Sequence, residues 1–342
     1  MSDQANPTEI WFTRCGGATA STVAIQQKFL HEEFAGSDVE LHALQESTDA
    51  AVRESHYDHS IPAMFREGGN IPPIWARAKG ADTVVVAISW VDEFQSIVVR
   101  ADSDIRSLED LRGRRLAVPL YAGISIDFQR GANFHGLANG LGIVGLGRDD
   151  VTFVDVPVER GLRRPSGSAE LEALFDGRVD TVFLRQSSGL RLFREYGDRL
   201  RELVRLTDEA DPLRRVNNGT PRPLTVHRTF LKEHRDLVVR YLGVLLRSAD
   251  WAERSPAEAL DALTREDGRS TSEEIAATFP HYATSLWPRL TPDYVAGLEA
   301  QKDFLFQWGF LEADFAIDDW VEHGPLEEAR SLFAGEVAEA AE

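Results

Sequence analysis

The chain has 342 residues, of which 37 are lysine or arginine and 56 are aspartate or glutamate, so its formal net charge is -19 at pH 7. This charge argues against a surface that binds nucleic acid or anionic membranes, because such surfaces need clustered cations. Hydrophobic residues make up 43% of the chain, which is enough for a sizeable core and too apolar for disorder. A chain of this length is expected to form about two domains or lobes.

The N-terminal segment and the cysteine content bear on the compartment. No run approaches the roughly 18 apolar residues of a membrane span, and residues 1–12 lack a basic region followed by an apolar one. The single cysteine, Cys15, cannot form an internal disulfide. These two features indicate a cytoplasmic protein with no membrane partner, and we also expect a monomer. The nine histidines are scattered without metal-ligand spacing, so we also expect no metal site.

Apolar, β-branched segments alternate with helix-length amphipathic segments through the first two thirds of the chain. The first strand is predicted over residues 9–13 and the first helix from near Ala18. Further strands are predicted at VELHAL, DTVVVAIS, SIVVR, RRLAVPL, VTFVDVPV and DTVFL. From Arg228 onward the pattern is helical. This order predicts an α/β fold with mixed, mostly parallel sheets and a helical C-terminal third.

Local signals mark two helix starts and one connection. Asn70 precedes Ile71-Pro72-Pro73, and Thr291 precedes a proline, both of which are typical of a first helical turn. The segment RRVNNGT (214–220) is predicted to be an exposed loop. We take this loop as the candidate for the return crossover between the lobes.

Two turns between a strand and a helix carry residues suited to an oxyanion. Cys15 lies between the first strand and the first helix, where the N–H groups of the helix start would favour a thiolate. Gly68-Gly69 form the second turn, and His56 and Arg66 precede it. The guanidinium offers a planar fork for two oxygens, and glycine lets a backbone N–H approach an anion. Together these residues predict a site for a small anion.

Each of these residues also has an ordinary structural interpretation. A lone cysteine is more often a small buried apolar residue than a nucleophile. Arg66 could belong to a solvated turn. His59, three residues after His56, is a rival partner for the thiol.

Three segments resemble the type II periplasmic-binding-protein fold of sulfonate- and taurine-type solute receptors: residues 104–123, 175–184 and 226–260. That fold implies two α/β lobes, joined by two crossovers, that close on a ligand. The lobes expected here are residues 1–100 with 218–342, which carry the site, and residues 101–217, which close the cleft.

A narrower resemblance concerns the chemistry. The segments 56–75, 286–311 and 316–320 are similar to the bacterial desulfinases that act on 2'-hydroxybiphenyl-2-sulfinate. The resemblance implies a catalytic cysteine, a catalytic histidine, a sulfinate-binding arginine and a backbone anion donor at, in that order, Cys15, His56, Arg66 and Gly69. His56 is preferred over His59 because only it keeps the spacing of ten residues to Arg66. Thr13-Arg14 and Gly16-Gly17, on the two sides of the cysteine, depart from the family's pattern.

The resemblance implies a cofactor-free, cysteine-dependent desulfinase that cleaves the carbon–sulfur bond of an organic, aromatic sulfinate and releases sulfite. Thr13, Tyr121 and Gln186 are further candidate contacts of this small organosulfur anion. Whether Cys15 attacks sulfur or delivers a proton to carbon stays open. One alternative is a non-catalytic solute-binding protein for a sulfonate or related anion. Another is an enzyme of pyrimidine-precursor synthesis, which is expected to carry a cysteine or histidine cluster that this chain lacks.

Overall fold

The computed structural model describes residues 9–14, 16–159 and 165–339. The strands in chain order are β1 (Glu9–Phe12), β2 (Glu40–Ala43), β3 (Met64–Glu67), β4 (Thr83–Ser89), β5 (Gln95–Arg100), β6 (Arg115–Leu120), β7 (Thr152–Pro157), β8 (Val182–Arg185), β9 (Leu200–Arg205) and β10 (Arg222–His227). The α-helices are α1 (Ala20–Gln26), α2 (Phe29–Phe34), α3 (Ala50–Asp58), α4 (Ile71–Ala78), α5 (Phe128–Ile143), α6 (Ser168–Phe175), α7 (Gln186–Glu195), α8 (Arg228–Glu233), α9 (Arg235–Arg254), α10 (Pro256–Asp267), α11 (Ser272–Thr278), α12 (Pro292–Gln307) and α13 (Gly324–Glu339).

The chain divides into two compact units. Unit 1 comprises residues 1–91, 219–272 and 281–342, and unit 2 comprises residues 92–218 and 273–280. Strand β5 pairs with β8 on one side and β9 on the other, so the segment 92–100 lies in unit 2 rather than in the first lobe, where the sequence analysis placed it. The partners of a strand decide its unit, and an apolar strand such as SIVVR does not reveal its partners.

Unit 1 is built on a five-stranded sheet with the order β2-β1-β3-β10-β4. Strand β1 runs parallel to β2 and β3, whereas β10 runs antiparallel to β3 and β4. The predicted α/β fold with mixed sheets is therefore confirmed, but the sheets are not mostly parallel, since three of the described strand pairs are parallel and four are antiparallel. The antiparallel pairs come from β5 in unit 2 and from β10, the strand with which the chain returns to unit 1 after residue 218. The helical C-terminal third is confirmed by α8 to α13.

The core of unit 1 lies between this sheet and the helices of the last third. All seven residues of β4 are buried, as expected for a strand covered on both faces. The Phe65 ring of β3 stacks on the Tyr241 ring of α9, with centroids 3.8 Å apart. Trp320 is also fully buried, and its indole Nε1 donates to Thr83 Oγ1 at 3.1 Å. Burial of each such side chain contributes about 1.5–3 kcal/mol, so these contacts anchor β3 at Phe65 and the start of β4 at Thr83.

Unit 2 contains an antiparallel sheet, β8-β5-β9, and a parallel pair, β6-β7. A backbone bridge between Leu116 and Thr181 joins β6 to the chain that enters β8. In α5 a side chain at Gly136 would collide with the Phe183 ring, and one at Gly140 with Ile97. These two glycines let the helix pack closely on the sheet.

The local signals have mixed outcomes. Helices α4 and α12 begin at Ile71 and Pro292, as predicted. The Asn70 side chain does not cap its helix but donates from Nδ2 to the Pro221 carbonyl at 2.9 Å. The prediction of an exposed loop at 214–220 is wrong, because residues 216–220 are buried. Polar groups there have internal partners, such as the Val216 carbonyl, which accepts from Asn139 Nδ2 at 2.9 Å.

The helices in the described part of the chain include none that is long and apolar enough to cross a membrane.

Candidate functional site

Thr13 ties the ends of the neighbouring strands β1 and β3 together. Its backbone N–H donates to the Phe65 carbonyl at 3.1 Å. Its hydroxyl Oγ1 accepts from the Glu67 N–H at 2.9 Å and donates to the Glu67 carbonyl at 2.6 Å. The residues that follow the two parallel strands therefore meet at one edge of the sheet. The Thr13 hydroxyl, a predicted substrate contact, is buried and engaged with the Glu67 backbone.

Arg66 lies at the centre of the predicted site. Its side chain is 0% exposed. The guanidinium donates from Nη1 to the Gly69 carbonyl at 2.6 Å, from Nε to the His56 carbonyl at 3.3 Å and from Nη2 to His56 Nε2 at 3.4 Å. Three of the residues singled out in the sequence are therefore neighbours, and the arginine fork points towards the Gly69 turn and the His56 ring.

His56, in the last turn of α3, has a perturbed imidazole. Burial lowers its pKa well below the usual value, and the charges of Arg66 and His59 lower it further. The ring is therefore neutral at neutral pH. Because the arginine can only donate, we assign the lone pair to Nε2 and the proton to Nδ1. The single lone pair of the ring therefore faces the guanidinium, and the ring can accept a proton from a thiol once this contact opens.

His59 is directed at β10. It ends α3 in the left-handed conformation, with φ 57°, and it is buried. The Thr225 hydroxyl donates to the Arg66 carbonyl at 3.3 Å, so His59 Nε2 donates to Thr225 Oγ1 at 2.9 Å. Burial, with the charges of Arg66 and His227, lowers the His59 pKa well below the usual value. The ring thus ties α3 to the sheet, while the His56 ring contacts the guanidinium.

Acid should destabilise the protein through His59. Its folded pKa lies below its unfolded value of about 6.5, so the folded state binds fewer protons and stability falls as the pH drops below that value. We expect the His59→Gln variant to lose less stability between about pH 6.5 and 5, where one such histidine contributes a slope of up to about 1.4 kcal/mol per pH unit. Urea unfolding at several pH values measures this slope, with exposed His323→Gln as the control. If the free energy of unfolding fell with pH equally steeply in His59→Gln and in the wild type, the expectation would be wrong.

Cys15 lies outside the described residues, but the residue before it is well anchored. Arg14 donates from Nε and Nη2 to the Glu266 carboxylate of α10 at 3.1 and 2.8 Å, and its Nη1 contacts Glu46. The Arg14 N–H donates to Gln45 Oε1 at 2.7 Å. The Arg14 charge is thus compensated by two carboxylates, so this arginine is neither a solvated surface residue nor an uncompensated cation beside the cysteine.

The two glycines after Cys15 have definite structural requirements. Gly16 has φ 47°, in the left-handed region that favours glycine. A Cβ on Gly17 would lie 2.6 Å from Cζ of Arg222, which is itself 2% exposed and donates from Nε to the Gly219 carbonyl at 3.1 Å. Gly17 therefore lets the chain pass directly over the buried guanidinium of β10.

Glu67 is a functional candidate that the sequence analysis missed. Its side chain is 4% exposed, and its carboxylate accepts from the Ser89 hydroxyl at 3.1 Å and from the Ser21 hydroxyl. Burial raises the pKa of this carboxyl, while Ser21, Ser89, Arg222 and Arg66 oppose the rise. The only sequence signal was an acidic residue at the end of an apolar strand.

A small depression, open to solvent and with room for about one water-sized group, adjoins this carboxyl. It is lined by Thr13, Arg14, Thr19, Ser21, Thr22, Ile25, Glu67 and Gly68. Six of the eight lining residues carry hydroxyl or charged side chains, so the depression offers hydrogen bonds to a small polar or anionic group.

The predicted contacts Tyr121 and Gln186 belong to unit 2. Gln186 has φ 59°, its N–H donates to the Phe94 carbonyl at 2.8 Å and its Nε2 donates to the Glu93 carboxylate at 3.1 Å. The Tyr121 N–H donates to Asp127 Oδ2 at 2.9 Å. Both residues thus follow the carboxyl ends of strands, β6 for the tyrosine and β8 for the glutamine, which is where α/β folds usually bind ligands.

Buried charges surround these two residues in unit 2. Glu93 pairs with Arg185 at 3.2 Å, and both side chains are almost fully buried. Burial raises the pKa of Glu170 to about 7, with a further rise from Asp127 that Arg185 opposes. Burial, followed by Glu170 and Asp127, also raises the pKa of Tyr121. In residues 9–14, 16–159 and 165–339, no three histidine, cysteine, aspartate or glutamate side chains are placed to hold a metal ion.

Comparisons with known proteins give a family, a relative and a fold. The family described as NMT1/THI5 like matches residues 69–259. A 2'-hydroxybiphenyl-2-sulfinate desulfinase from Rhodococcus erythropolis is 25% identical to this chain, over 93% of the chain and 92% of the relative.

Two solved structures share the fold. The desulfurisation enzyme DszB, crystallised as a mutant in complex with biphenyl-2-sulfinic acid, matches with a TM-score of 0.72 and 21% identity, over 94% of this chain and 99% of DszB. The periplasmic aliphatic sulphonate binding protein SsuA from Escherichia coli matches with a TM-score of 0.67 and 17% identity, over 93% of each chain. Both likenesses confirm the predicted periplasmic-binding-protein fold.

Proposed function

The chain belongs to the NMT1/THI5-like family, which matches more than half of it, and we propose that within this family it acts as a desulfinase on an organic, aromatic sulfinate. The similarity to the Rhodococcus desulfinase along nearly the whole chain supports this choice. The reaction would cleave the carbon–sulfur bond and release sulfite, with no cofactor.

One observation carries the proposal. The guanidinium of Arg66 reaches both the Gly69 carbonyl, at 2.6 Å, and His56 Nε2, at 3.4 Å. These three residues are the ones to which the resemblance assigns anion binding and proton transfer, and they form one cluster in unit 1. A sulfinate oxygen that replaced the Gly69 carbonyl or the His56 ring as the acceptor would accept hydrogen bonds from the guanidinium N–H groups beside a neutral imidazole.

The chemistry assigns one role to each residue. Arg66 and the Gly69 N–H hold the sulfinate oxygens, and His56 orients the Cys15 thiol and can exchange a proton with it. The carbon–sulfur bond then breaks, its electron pair takes a proton at the ring carbon, and the sulfur departs as sulfur dioxide, which water converts to sulfite. In one route the Cys15 thiolate bonds to sulfur as the carbon–sulfur bond breaks, the proton held by His56 passes to the ring carbon, and the cysteine–sulfur bond then breaks to release sulfur dioxide. In the other route the thiol delivers its own proton to the ring carbon, and water returns a proton to the thiolate.

A second candidate is a non-catalytic binding protein for a sulfonate or related anion. The contacts of Arg14 with Glu46 and Glu266 favour it, because the cation next to Cys15 in sequence is already compensated and is not available to stabilise a thiolate. The fold shared with the sulphonate-binding protein is compatible with both candidates.

Incubation with an aryl sulfinate and with the matching aryl sulfonate separates the two candidates. We expect sulfite from the sulfinate alone, and a higher melting temperature with either anion, because each should bind the folded state. A raised melting temperature without sulfite would favour the binding protein. If neither anion at millimolar concentration releases sulfite or shifts the melting temperature, both candidates are wrong.

A further inference from the structure

We propose that Glu67 is a positioning residue that clamps both ends of the segment 14–20, to which Cys15 belongs, and thereby sets the reactivity of the thiol. Its consequence for catalysis rests on the desulfinase proposed above. The clamp itself can be tested on the thiol without any turnover.

Glu67 contacts the chain on both sides of this segment. Before it, the Thr13 hydroxyl accepts from the Glu67 N–H at 2.9 Å and donates to the Glu67 carbonyl at 2.6 Å. After it, the Ser21 hydroxyl of α1 donates to the Glu67 carboxylate. A single residue at the end of β3 therefore closes a loop of seven residues.

The carboxylate also has partners that fix its own position. The Ser89 hydroxyl at the end of β4 donates to Glu67 Oε1 at 3.1 Å. The charged and titratable groups that face the carboxyl are Arg66 of β3, Arg222 of β10 and Tyr241 of α9. Burial raises the pKa of Tyr241, as does the charge of Glu67, and its hydroxyl also hydrogen-bonds Ser21. Two elements besides β3 thus hydrogen-bond the carboxyl, α1 through Ser21 and β4 through Ser89, and the Arg222 charge of β10 favours its ionised form.

This arrangement anchors both ends of a short glycine-containing segment. Glycines at positions 16 and 17 lower the cost of many backbone conformations, so the segment needs anchors outside itself. Thr13, Ser21 and the Arg14 contacts with Glu266 supply them, and two of the three depend on Glu67. Removal of the Ser21 contact should release the end of the segment that leads into α1.

The test uses the fact that Cys15 is the only cysteine, so alkylation by iodoacetamide reports on it alone. The matched pair is Ser21→Ala and Ser89→Ala, each of which removes one hydroxyl from the same carboxylate. We expect the alkylation profile of the wild type to have its midpoint below that of a free cysteine, about pH 8.5. In Ser21→Ala the midpoint should move towards that value, with a rate at pH 7 about three to ten times lower, the effect of one lost hydrogen bond. Ser89→Ala should change the rate by less than about twofold.

Glu67→Gln should resemble Ser21→Ala, and Glu170→Gln, a buried carboxyl of unit 2, is its matched control. For an active enzyme, kcat should fall in Ser21→Ala while KM stays within about twofold, since Arg66 and Gly69, to which sulfinate binding is assigned, are unchanged. A wild-type profile equal to that of free cysteine overturns the proposal, as do equal effects of Ser21→Ala and Ser89→Ala. If the wild type releases no sulfite from an aryl sulfinate, the proposed desulfinase function is wrong. The alkylation profiles still decide whether Glu67 sets the reactivity of the thiol.

Discussion

Replacement of Cys15 by serine is expected to abolish sulfite release while the fold stays intact. A serine hydroxyl is a far poorer nucleophile and proton donor than a tuned thiol, so the rate should fall by at least about a thousandfold, or to the background of the assay. Sulfite assays on the purified variant measure this loss. Circular dichroism and the melting temperature check that the variant is folded.

The same experiment has a control that preserves binding. An aryl sulfinate should still raise the melting temperature of Cys15→Ser, because the predicted anion contacts lie on Arg66 and Gly69. Turnover retained in the serine variant would show that the thiol is not the catalytic group. A wild-type thiol that resists alkylation would lead to the same conclusion.

Replacement of Arg66 by lysine should weaken substrate binding strongly. Lysine keeps the positive charge but loses the planar fork that reaches the Gly69 carbonyl and the His56 ring together. We expect a loss of about 1.5–3 kcal/mol, the value of a charge-assisted hydrogen bond, which corresponds to a KM raised by about 10- to 150-fold. Steady-state kinetics and the shift of melting temperature with sulfonate both measure it.

Arg201→Lys is a suitable control for this substitution. Arg201 also donates to backbone carbonyls, those of Ser103 and Ile105 at 3.2 and 2.9 Å, but it belongs to unit 2 and neither of these partners is assigned to the reaction. Its replacement should leave KM unchanged. An unchanged KM in Arg66→Lys would mean that the anion binds elsewhere and that Arg66 serves only to hold His56 and the Gly69 turn.

Local sequence patterns sufficed for much of the fold. The apolar segment DTVVVAIS predicted β4, and the proline positions predicted the starts of α4 and α12, because each signal acts within a few residues. The grouping of His56, Arg66 and Gly69 followed from the resemblance. The structure brings these three together because they lie within one α-turn-β-turn stretch of 14 residues.

Long-range contacts were beyond the reach of these patterns. The sequence did not show that Arg14 would pair with Glu266, 252 residues away, nor that Glu67 would be buried among Ser21, Ser89 and Arg222. It suggested an exposed loop at 214–220, which is polar in composition yet mostly buried. From sequence alone, a polar residue is expected to be exposed to solvent. It can be buried when a distant element supplies its hydrogen-bond partner, and the local sequence does not reveal that partner.

The sequence by itself therefore determined the alternation of strands and helices, the helical last third and the two turns that carry the candidate residues. The tertiary structure alone decided that β10 returns antiparallel between β3 and β4, that β5 belongs to unit 2, and that His56 rather than His59 contacts Arg66. The physical reason is that hydrophobic periodicity and helix signals are local properties of the chain. The partners of a strand depend on which distant segments can pair with the same sheet edge. Buried hydrogen bonds likewise depend on which distant groups can reach the same donor or acceptor.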